Sequence, residues 1–175
     1  AEEVGAKYLT RVDRSHAKAG NINHALGVID ADLLAILDAD HIPTTNFLRH
    51  TIGYFDDLDL ALVQTPQDFY NTDSFEHIGD YTEEGLFYRV IQPGKNRWGA
   101  AFWCGTSAVV RADAIRSIGG VATESVTEDL LTTIRLHGQG WRTVFHDEVL
   151  ARGLAPASYK EFLVQRTRWA TGAMQ

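Results

Sequence analysis

Residues 33–43 read LLAILDADHIP, and the rest of the chain can be organised around this stretch. Five consecutive apolar residues are followed at once by acidic side chains and then by a proline. Such a run is typical of a buried strand in a parallel sheet, which ends where the polar residues begin. Ligands of open α/β sheets bind at this carboxyl edge. We therefore predict that Asp38 and Asp40 lie at the ligand-binding edge of an α/β sheet.

The spacing of the two aspartates permits two interpretations. Two carboxylates that leave the end of one strand can both reach a hard divalent cation, because the strand no longer keeps its two-face alternation there. Alternatively, Asp40, Thr44 or Thr45 caps the N-terminus of the following helix. The stretch by itself leaves both interpretations open, so other motifs of the chain have to decide between them.

The composition is that of a globular domain. The chain has 175 residues, of which 45% are hydrophobic and 22% charged, and its formal net charge is −7. An acidic chain without a cluster of Lys or Arg is a poor partner for nucleic acid. No apolar run approaches the roughly 18 residues that a membrane-spanning helix needs. The single cysteine, Cys104, excludes an internal disulfide and a thiolate metal cluster.

Apolar periodicity along the chain predicts alternating strands and helices. The predicted strands are 6–12, 33–37, 60–64, 101–111 and 141–146. The predicted helices are 13–26 (entered through a polar loop), 47–55, 74–92, 113–118, 127–138 and 158–169. This alternation predicts a mainly parallel sheet with helices on both faces. Ser158 and Glu161 have the spacing of a capping box at the start of the last helix.

Two further motifs place charged side chains at helix N-termini. Lys18, in the first helix, could neutralise a phosphate together with the helix dipole, although a lysine in a first turn is often only solvated. Thr127, Glu128 and Asp129 open a later helix, where the dipole favours ionised carboxylates. Capping is the ordinary explanation for one of these carboxylates. The other fits a general base that is kept apart from a metal site.

The last motif is QRTRW at 165–169. On a helix, Gln165, Arg168 and Trp169 share one face because they are three and four residues apart. Arg168 offers a planar fork for a diphosphate, and Trp169 offers a flat apolar surface on which a sugar can stack. A surface arginine beside a core tryptophan is the alternative. Cys104 has no base partner in the sequence, so we interpret it as a buried thiol that lines a pocket.

Five motifs in this order resemble the catalytic domain of bacterial cellulose synthase and related processive, inverting family 2 glycosyltransferases. They are HAKAGNIN (16–23), DADH (38–41), FWCGT (102–106), TED (127–129) and QRTRW (165–169). The resemblance extends from about Tyr8 to the last residue. Each motif alone is weak, whereas the ordered set, and above all its last two members, is characteristic.

The resemblance implies roles for the residues on the donor side. Asp38 and Asp40 match the pair that holds Mg²⁺ or Mn²⁺ on the diphosphate of a UDP-sugar, and His41 could add a ligand. Lys18 matches a lysine that contacts the diphosphate. Asp129 matches the general base that deprotonates the acceptor hydroxyl. An inverting displacement needs one base and a stabilised leaving group, and it needs no second carboxylate as nucleophile.

The resemblance also implies an acceptor side. Gln165, Arg168 and Trp169 match residues that hold the leaving diphosphate and stack the acceptor end, and the loop at 102–105 matches one that borders the acceptor sugar. The residues expected to bind the polysaccharide acceptor are Phe102, Cys104, Glu128, Gln165 and Trp169. The implied reaction transfers a hexose from the UDP-sugar to the non-reducing end of a growing polysaccharide, with a β-glucan as the implied product.

The fold implied by the resemblance is an incomplete GT-A domain. The nucleotide-binding strands that begin the family's domain, and the membrane helices that flank it, have no counterpart in this sequence. Residues 1–175 are therefore expected to be a piece of one catalytic domain, whose parent is membrane-embedded with its active site at the cytoplasmic face of the bacterial inner membrane. We expect the piece alone to lack transfer activity and to self-associate through an open sheet edge.

Two other functions remain as alternatives. A non-processive relative would add one sugar to a lipid or a short glycan, but the motif at 165–169 argues against it because acceptor stacking suits repeated transfer. A non-catalytic UDP-sugar-binding module would bind its ligand independently of metal and would be indifferent to replacement of Asp38 and Asp40.

Overall fold

The structure is a computed structural model, and it describes residues 2–72 and 84–175. Its α-helices are α1 (Ala17–Leu26), α2 (Phe47–Thr51), α3 (Gln92–Arg97), α4 (Ala112–Ser117), α5 (Glu128–Gly138) and α6 (Tyr159–Ala173). Its strands are β1 (Leu33–Ile36), β2 (Ile42–Pro43), β3 (Leu60–Gln64), β4 (Asp68–Phe69), β5 (Ala108–Arg111), β6 (Arg142–Phe145) and β7 (Ala151–Gly153). Short 3₁₀-helices span Glu2–Val4 and Ile52–Asp56, and a π-helix spans Phe87–Ile91.

The main sheet contains four strands in the order β1-β5-β3-β6. β5 runs antiparallel to both of its neighbours, β1 and β3, whereas β3 and β6 are parallel. The sheet is therefore mixed, which corrects the expectation of a mainly parallel sheet. A fully buried apolar run looks the same in either direction, so the pattern could not reveal that β5 is reversed. β1 was expected to be a buried parallel strand, but among the described strands it forms an antiparallel edge.

Apolar clusters pack on both faces of this sheet. Leu62 and Val110 belong to a cluster completed by side chains of α1, α4 and α5. Val63 and Val109 belong to a second cluster, which includes Phe47 of α2. Neighbouring residues of a strand point to opposite faces, so the two clusters lie on opposite sides of the sheet. The expectation of helices on both faces is confirmed.

The helix around Pro93 differs from the sequence prediction. The helix was expected to end before this proline, but the π-helix Phe87–Ile91 runs directly into α3. Pro93 occupies one of the first two positions of α3, where a backbone N–H is not needed. The wider π turn changes the hydrogen-bond register just before the proline and so allows the chain to stay helical. Residues 74–83 of the predicted helix lie outside the described residues.

A second, three-stranded sheet was not predicted. β7 pairs antiparallel with β2 and parallel with β4. Strands of two or three residues have no detectable periodicity, so the sequence could not reveal them. The small sheet is important for the site, because β2 begins directly after His41 and β7 ends directly before Leu154.

Two predicted strands differ from the structure. Residues 6–12 form no strand and join no sheet among the described residues, and Tyr8 and Val12 are exposed. The strand predicted at 101–111 is confined to β5. The preceding loop turns at Gly105, whose φ is +83°, and its N–H groups bond to side chains instead of to a neighbouring strand. The other predicted elements that fall in the described residues are confirmed, with shifted ends.

α6 begins at its predicted cap. Ser158 Oγ accepts a hydrogen bond from the N–H of Glu161 at 3.3 Å. The Glu161 carboxylate accepts one from the N–H of Ala157, one residue earlier than in the usual capping box. None of the described helices is both long and apolar enough to span a bilayer.

Candidate active site

One cavity of about 430 Å³ brings together all the residues singled out in the sequence. Its walls are the segment after β1, the loop before β5, the first turn of α5 and one face of α6. The singled-out residues that line it are Lys18, Asp38, Asp40, His41, Phe102, Cys104, Glu128, Asp129, Gln165, Arg168 and Trp169. Motifs from both halves of the chain therefore meet in one place.

Asp38 and Asp40 lie in the turn that follows β1. Asp38 Oδ1 is 2.6 Å from Lys18 Nζ, and the Asp38 N–H donates to Thr106 Oγ1 at 2.9 Å. The Asp40 carboxylate accepts hydrogen bonds from the His41 ring and from the N–H of Leu154, both at 3.1 Å. Although partial burial opposes ionisation, these bonds lower the pKa of Asp40 below its usual value. The Asp40 carboxylate is thus held ionised at the cavity wall.

The capping interpretation of this turn is wrong. Asn46 is the residue that precedes the first turn of α2, so none of the three residues proposed as caps is in position. Asp38, Asp40 and His41 instead present ligand atoms that lie within 4.8 Å of one another. The His41 side chain is 6% exposed, and its Nε2 has no hydrogen-bond partner among the described residues. Two carboxylates beside a buried imidazole with an unpaired nitrogen fit a divalent cation.

Gly153 is the residue against which the His41 ring packs, and it provides a test of that ring's role. A Cβ at this position would overlap the imidazole, and Gly153 does not have a positive φ, so Gly153→Ala leaves the backbone unstrained. We expect Gly153→Ala to push His41 away from Asp40, to weaken Mn²⁺ binding about tenfold and to lower the free energy of unfolding by about 1–2 kcal/mol. Calorimetry and chemical denaturation would measure both effects.

Gly53→Ala is the matched control, because a Cβ at Gly53 would meet no atom within 4 Å. It should leave both the Mn²⁺ affinity and the free energy of unfolding near their original values. Unchanged Mn²⁺ affinity in Gly153→Ala would mean that His41 has no part in the metal site.

Asp129 lies in the first turn of α5 and is largely buried. Burial, assisted by the neighbouring charge of Glu128, raises the pKa of Asp129 to about 6, although a hydrogen bond from the N–H of Leu130 and the charge of Lys18 oppose the rise. A carboxyl group with such a pKa is mostly ionised at neutral pH but readily takes a proton. These are the properties of a general base.

Gly105 explains how the lysine and this carboxylate come so close to the backbone. A Cβ on Gly105 would lie 3.1 Å from Asp129 Oδ2 and 3.2 Å from Lys18 Nζ. Its φ of +83° also disfavours any other residue. A glycine at this position therefore permits the close approach of both side chains.

The buried charge of Asp129 should destabilise the fold at neutral pH. Because the folded-state pKa is raised, the folded protein binds this proton more tightly than the unfolded chain. The contribution of Asp129 to stability is therefore most favourable below about pH 4, falls as the pH rises to about 6, and is then constant. We expect Asp129→Asn to raise the free energy of unfolding by about 1–3 kcal/mol at pH 7.5 and by almost nothing at pH 4.

Chemical denaturation at the two pH values measures this difference. Asp113→Asn is the control, because the Asp113 side chain is 83% exposed on α4 and pairs with Arg116 at the surface. A destabilised Asp129→Asn at pH 7.5 would contradict a net cost of burying this charge.

Cys104 is held in the loop before β5 by three glutamine side chains. Gln64 Oε1 accepts a hydrogen bond from the Cys104 N–H at 2.7 Å, Gln67 Nε2 donates to the Cys104 carbonyl at 3.0 Å, and Gln92 Nε2 lies 3.1 Å from Sγ. Burial raises the pKa of the Cys104 thiol far above its usual value. A neutral buried thiol lines a pocket and is a poor nucleophile.

One face of α6 lines the cavity. Its Gln165 Oε1 is buried and has no partner among the described residues. The Arg166 guanidinium stacks over the Trp169 ring at 4.4 Å and pairs with Glu84 at 2.6 Å. Arg168 is exposed and also lines a neighbouring cavity of about 600 Å³. The helix face predicted from the spacing of 165, 168 and 169 therefore does face the site.

Several residues of the site were missed in the sequence. Glu84 holds Arg166, Leu154 binds Asp40 through its N–H, and Thr106 fixes the backbone of Asp38. Thr106 belongs to the motif FWCGT and could have been considered. Gln64 also carried a signal, because a glutamine that ends an otherwise apolar buried strand needs polar partners. Glu84 and Leu154 have no recognisable sequence signal, since their roles depend on contacts between distant segments.

The fold and the site define the class of protein. Over 97% of its length, this chain superimposes on a mannosyltransferase from Pyrobaculum calidifontis, whose structure is a complex with GDP-Man and Mn²⁺. The TM-score is 0.68, the sequence identity is 19%, and the match covers 44% of that chain. The fold is therefore that of the GT-A-like glycosyltransferases, as the sequence predicted.

Sequence comparison identifies the family. Residues 33–175 match the family described as Glycosyl transferase family group 2. The chain is 46% identical over 181 residues to the UDP-forming cellulose synthase 1 catalytic subunit of Komagataeibacter xylinus, and 46% identical over 179 residues to the corresponding subunit of Xanthomonas axonopodis pv. citri. Identity to cellulose synthase 2 of Novacetimonas hansenii is 44% over 181 residues. The chain belongs to the family 2 glycosyltransferases.

These relatives are much longer than the chain. The three alignments cover 100%, 99% and 100% of this chain, but only 24%, 25% and 11% of the respective relatives. The predicted relationship to bacterial cellulose synthase catalytic subunits is confirmed.

Proposed function

We propose that the protein containing this chain is an inverting glycosyltransferase that moves a hexose from a UDP-sugar to the non-reducing end of a growing polysaccharide. The similarity to cellulose synthase catalytic subunits favours a β-glucan product. One observation carries the proposal. Asp38, Asp40 and the largely buried Asp129 line the same cavity, and Lys18 lies close to both Asp38 and Asp129.

On the donor side, Asp38, Asp40 and His41 would hold Mn²⁺ or Mg²⁺. When bound, such an ion supplies positive charge to the diphosphate oxygens of the donor. Because Mg²⁺ prefers oxygen ligands, the imidazole of His41 favours Mn²⁺. Lys18 and Arg168 both line the two adjoining cavities, and they would add positive charge to the leaving diphosphate.

The chemical step needs one base. In the proposed reaction, the acceptor hydroxyl attacks the anomeric carbon as Asp129 takes its proton, and the bond from that carbon to the diphosphate oxygen breaks. A single displacement from the face opposite the leaving group inverts the anomeric configuration. No carboxylate nucleophile is required, so Asp129 can serve as the base while Asp38 and Asp40 stay on the donor side.

On the acceptor side, the cavity combines apolar and polar groups. Phe102 and Cys104 form one wall, and Gln165 and Trp169 of α6 form another. The unpaired Oε1 of Gln165 could accept a hydrogen bond from a sugar hydroxyl. Since Arg166 covers one side of the Trp169 ring, the acceptor sugar would stack on the other. Glu128 also lines this cavity and would contact acceptor hydroxyls.

The proposal extends to the whole protein. A nucleotide-sugar donor is available inside the cell, whereas the polymer is expected to leave it. The active site would therefore face the cytoplasm at the inner membrane, with other segments anchoring it.

We also propose that the chain by itself is inactive and self-associates. Among the described strands, β1 pairs on one side only, and this open edge supports association together with exposed apolar side chains of α6 such as Leu163 and Val164.

The decisive experiment supplies single UDP-sugars with Mn²⁺ to membranes that contain the complete gene product. We expect one of them, with UDP-glucose tested first, to give a polymer that a β-glucanase degrades, and we expect EDTA to abolish synthesis. Addition of only one sugar to a lipid or short glycan would instead indicate a non-processive enzyme. Metal-independent UDP-sugar binding without any product would indicate a binding module.

A further inference from the structure

A second group of metal-ligating side chains lies outside the candidate active site. His50 of α2, together with His146 and Glu148 after β6, presents three ligand atoms that lie within 4.8 Å of one another. Glu148 Oε2 is 2.8 Å from His50 Nδ1 and 3.0 Å from His146 Nε2. None of the three residues lines the cavity that contains Asp129. The proposed sugar transfer therefore does not account for this cluster.

We propose that His50, His146 and Glu148 form a Zn²⁺ site. Two imidazole nitrogens and one carboxylate oxygen are a common three-ligand set for Zn²⁺, with water in the fourth position. Ligand atoms around tetrahedral Zn²⁺ are about 3.3 Å apart, because Zn–N and Zn–O bonds are about 2.0–2.1 Å long. The two measured pairs need to separate by only about 0.3–0.5 Å to reach that spacing. Because an ion would take the place of the ring protons, the carboxylate also has to move off the two hydrogen-bond axes, and the Glu148 side chain is 44% exposed, so solvent borders it on the side to which it can move.

Tyr54 gives this cluster an outer hydrogen bond of the kind that orients metal-binding histidines. Its hydroxyl lies 2.9 Å from His146 Nδ1. Without an ion, His146 donates from Nε2 to Glu148 and accepts from Tyr54 at Nδ1. With an ion on Nε2, the ring proton lies on Nδ1 and is donated to the Tyr54 oxygen. The ring keeps one orientation in both states, which reduces the reorganisation that binding requires.

The composition and position of the cluster indicate the type of ion and its role. Two nitrogen ligands disfavour Mg²⁺ and Ca²⁺, which prefer oxygen. The His50 and Glu148 side chains are 36% and 44% exposed, so an ion can enter from solvent. A bound ion would tie α2 to the segment between β6 and β7. That segment supplies Leu150, which pairs with Thr44, and it leads into Leu154, which binds Asp40. A bound Zn²⁺ would therefore stabilise the segment that positions Leu154 against Asp40 in the candidate active site.

Titration of the chain with Zn²⁺ and with Co²⁺ tests the proposal. An Asp38→Asn/Asp40→Asn background removes the other candidate metal site. In this background we expect one Zn²⁺ per chain by calorimetry, and visible Co²⁺ absorption of the strength that four-coordinate sites give. His146→Gln and Glu148→Gln should each weaken binding at least 30-fold. Tyr54→Phe, which keeps every ligand, should weaken it about tenfold.

His24→Gln is the matched control, because His24 is exposed on α1 and belongs to no ligand cluster among the described residues. It should bind Zn²⁺ as the background does. The thermal midpoint gives a second measurement, and Zn²⁺ should raise it in the background but not in His146→Gln. Equal Zn²⁺ affinity in His146→Gln and the background, an equal thermal shift in both, or no Zn²⁺ binding below millimolar concentration would overturn the proposal.

Discussion

Sugar transfer is expected to fall about 10³-fold when Asp129 is replaced by asparagine. Asparagine keeps the shape of the side chain, and its oxygen can still accept the hydrogen bond from the N–H of Leu130. It cannot take a proton from an acceptor hydroxyl. The loss should therefore appear in the initial rate of polymer formation by the complete gene product. The amount of this protein and its folding should not change. The same substitution should stabilise the fold, which separates loss of chemistry from loss of structure.

The pH dependence of transfer should report the same carboxyl group. Because burial raises the pKa of Asp129 to about 6, this proposed base is protonated below that pH. The rate of the unmodified protein should fall about tenfold per pH unit below about 6 and be constant just above it. The surface variant Asp113→Asn should keep both the rate and the profile. If Asp129→Asn retains most of the rate, Asp129 is not the base.

The sequence was a good guide to elements that are set by local pattern. The apolar run ending at Gln64 predicted β3 correctly, and Ser158 marked the start of α6. Strand direction was not predictable, because the apolar residues of β5 look the same in either orientation. The continuation of the helix through Pro93 was not predictable either, since it depends on the π turn that precedes this proline.

In the candidate active site, too, some features were predictable from local sequence and others were not. Each motif was recognisable because its residues are close together in sequence, and the resemblance to a known family implied that the motifs share one site. The groups that hold those residues in position were not recognisable. Glu84 pairs with Arg166, and Gly153 makes room for His41, across long stretches of chain. Such contacts are properties of the folded arrangement and leave no local pattern.

Loss of Mn²⁺ binding is the second large effect that we expect, and it should follow from either Asp38→Asn or Asp40→Asn. Each substitution removes one anionic oxygen from the proposed ligand set of two carboxylates and one imidazole. The Mn²⁺ affinity of the chain should fall at least about 100-fold, and Mn²⁺-dependent binding of inorganic pyrophosphate should disappear with it. Calorimetry on the purified chain measures both. Asp68→Asn, which disturbs a surface pair with Arg152, is the matched control.

Lys18 provides a further test of the proposed Mn²⁺ site, because its ammonium group occupies the place next to Asp38 that a cation would take. The two groups are 2.6 Å apart, so an entering ion has to compete with Lys18 for the carboxylate. Lys18→Met should therefore strengthen Mn²⁺ binding by itself several-fold, since the competing charge is gone. It should also weaken pyrophosphate binding, because Lys18 would then no longer contact the diphosphate. Weaker binding of Mn²⁺ alone in Lys18→Met would show that the ion binds elsewhere.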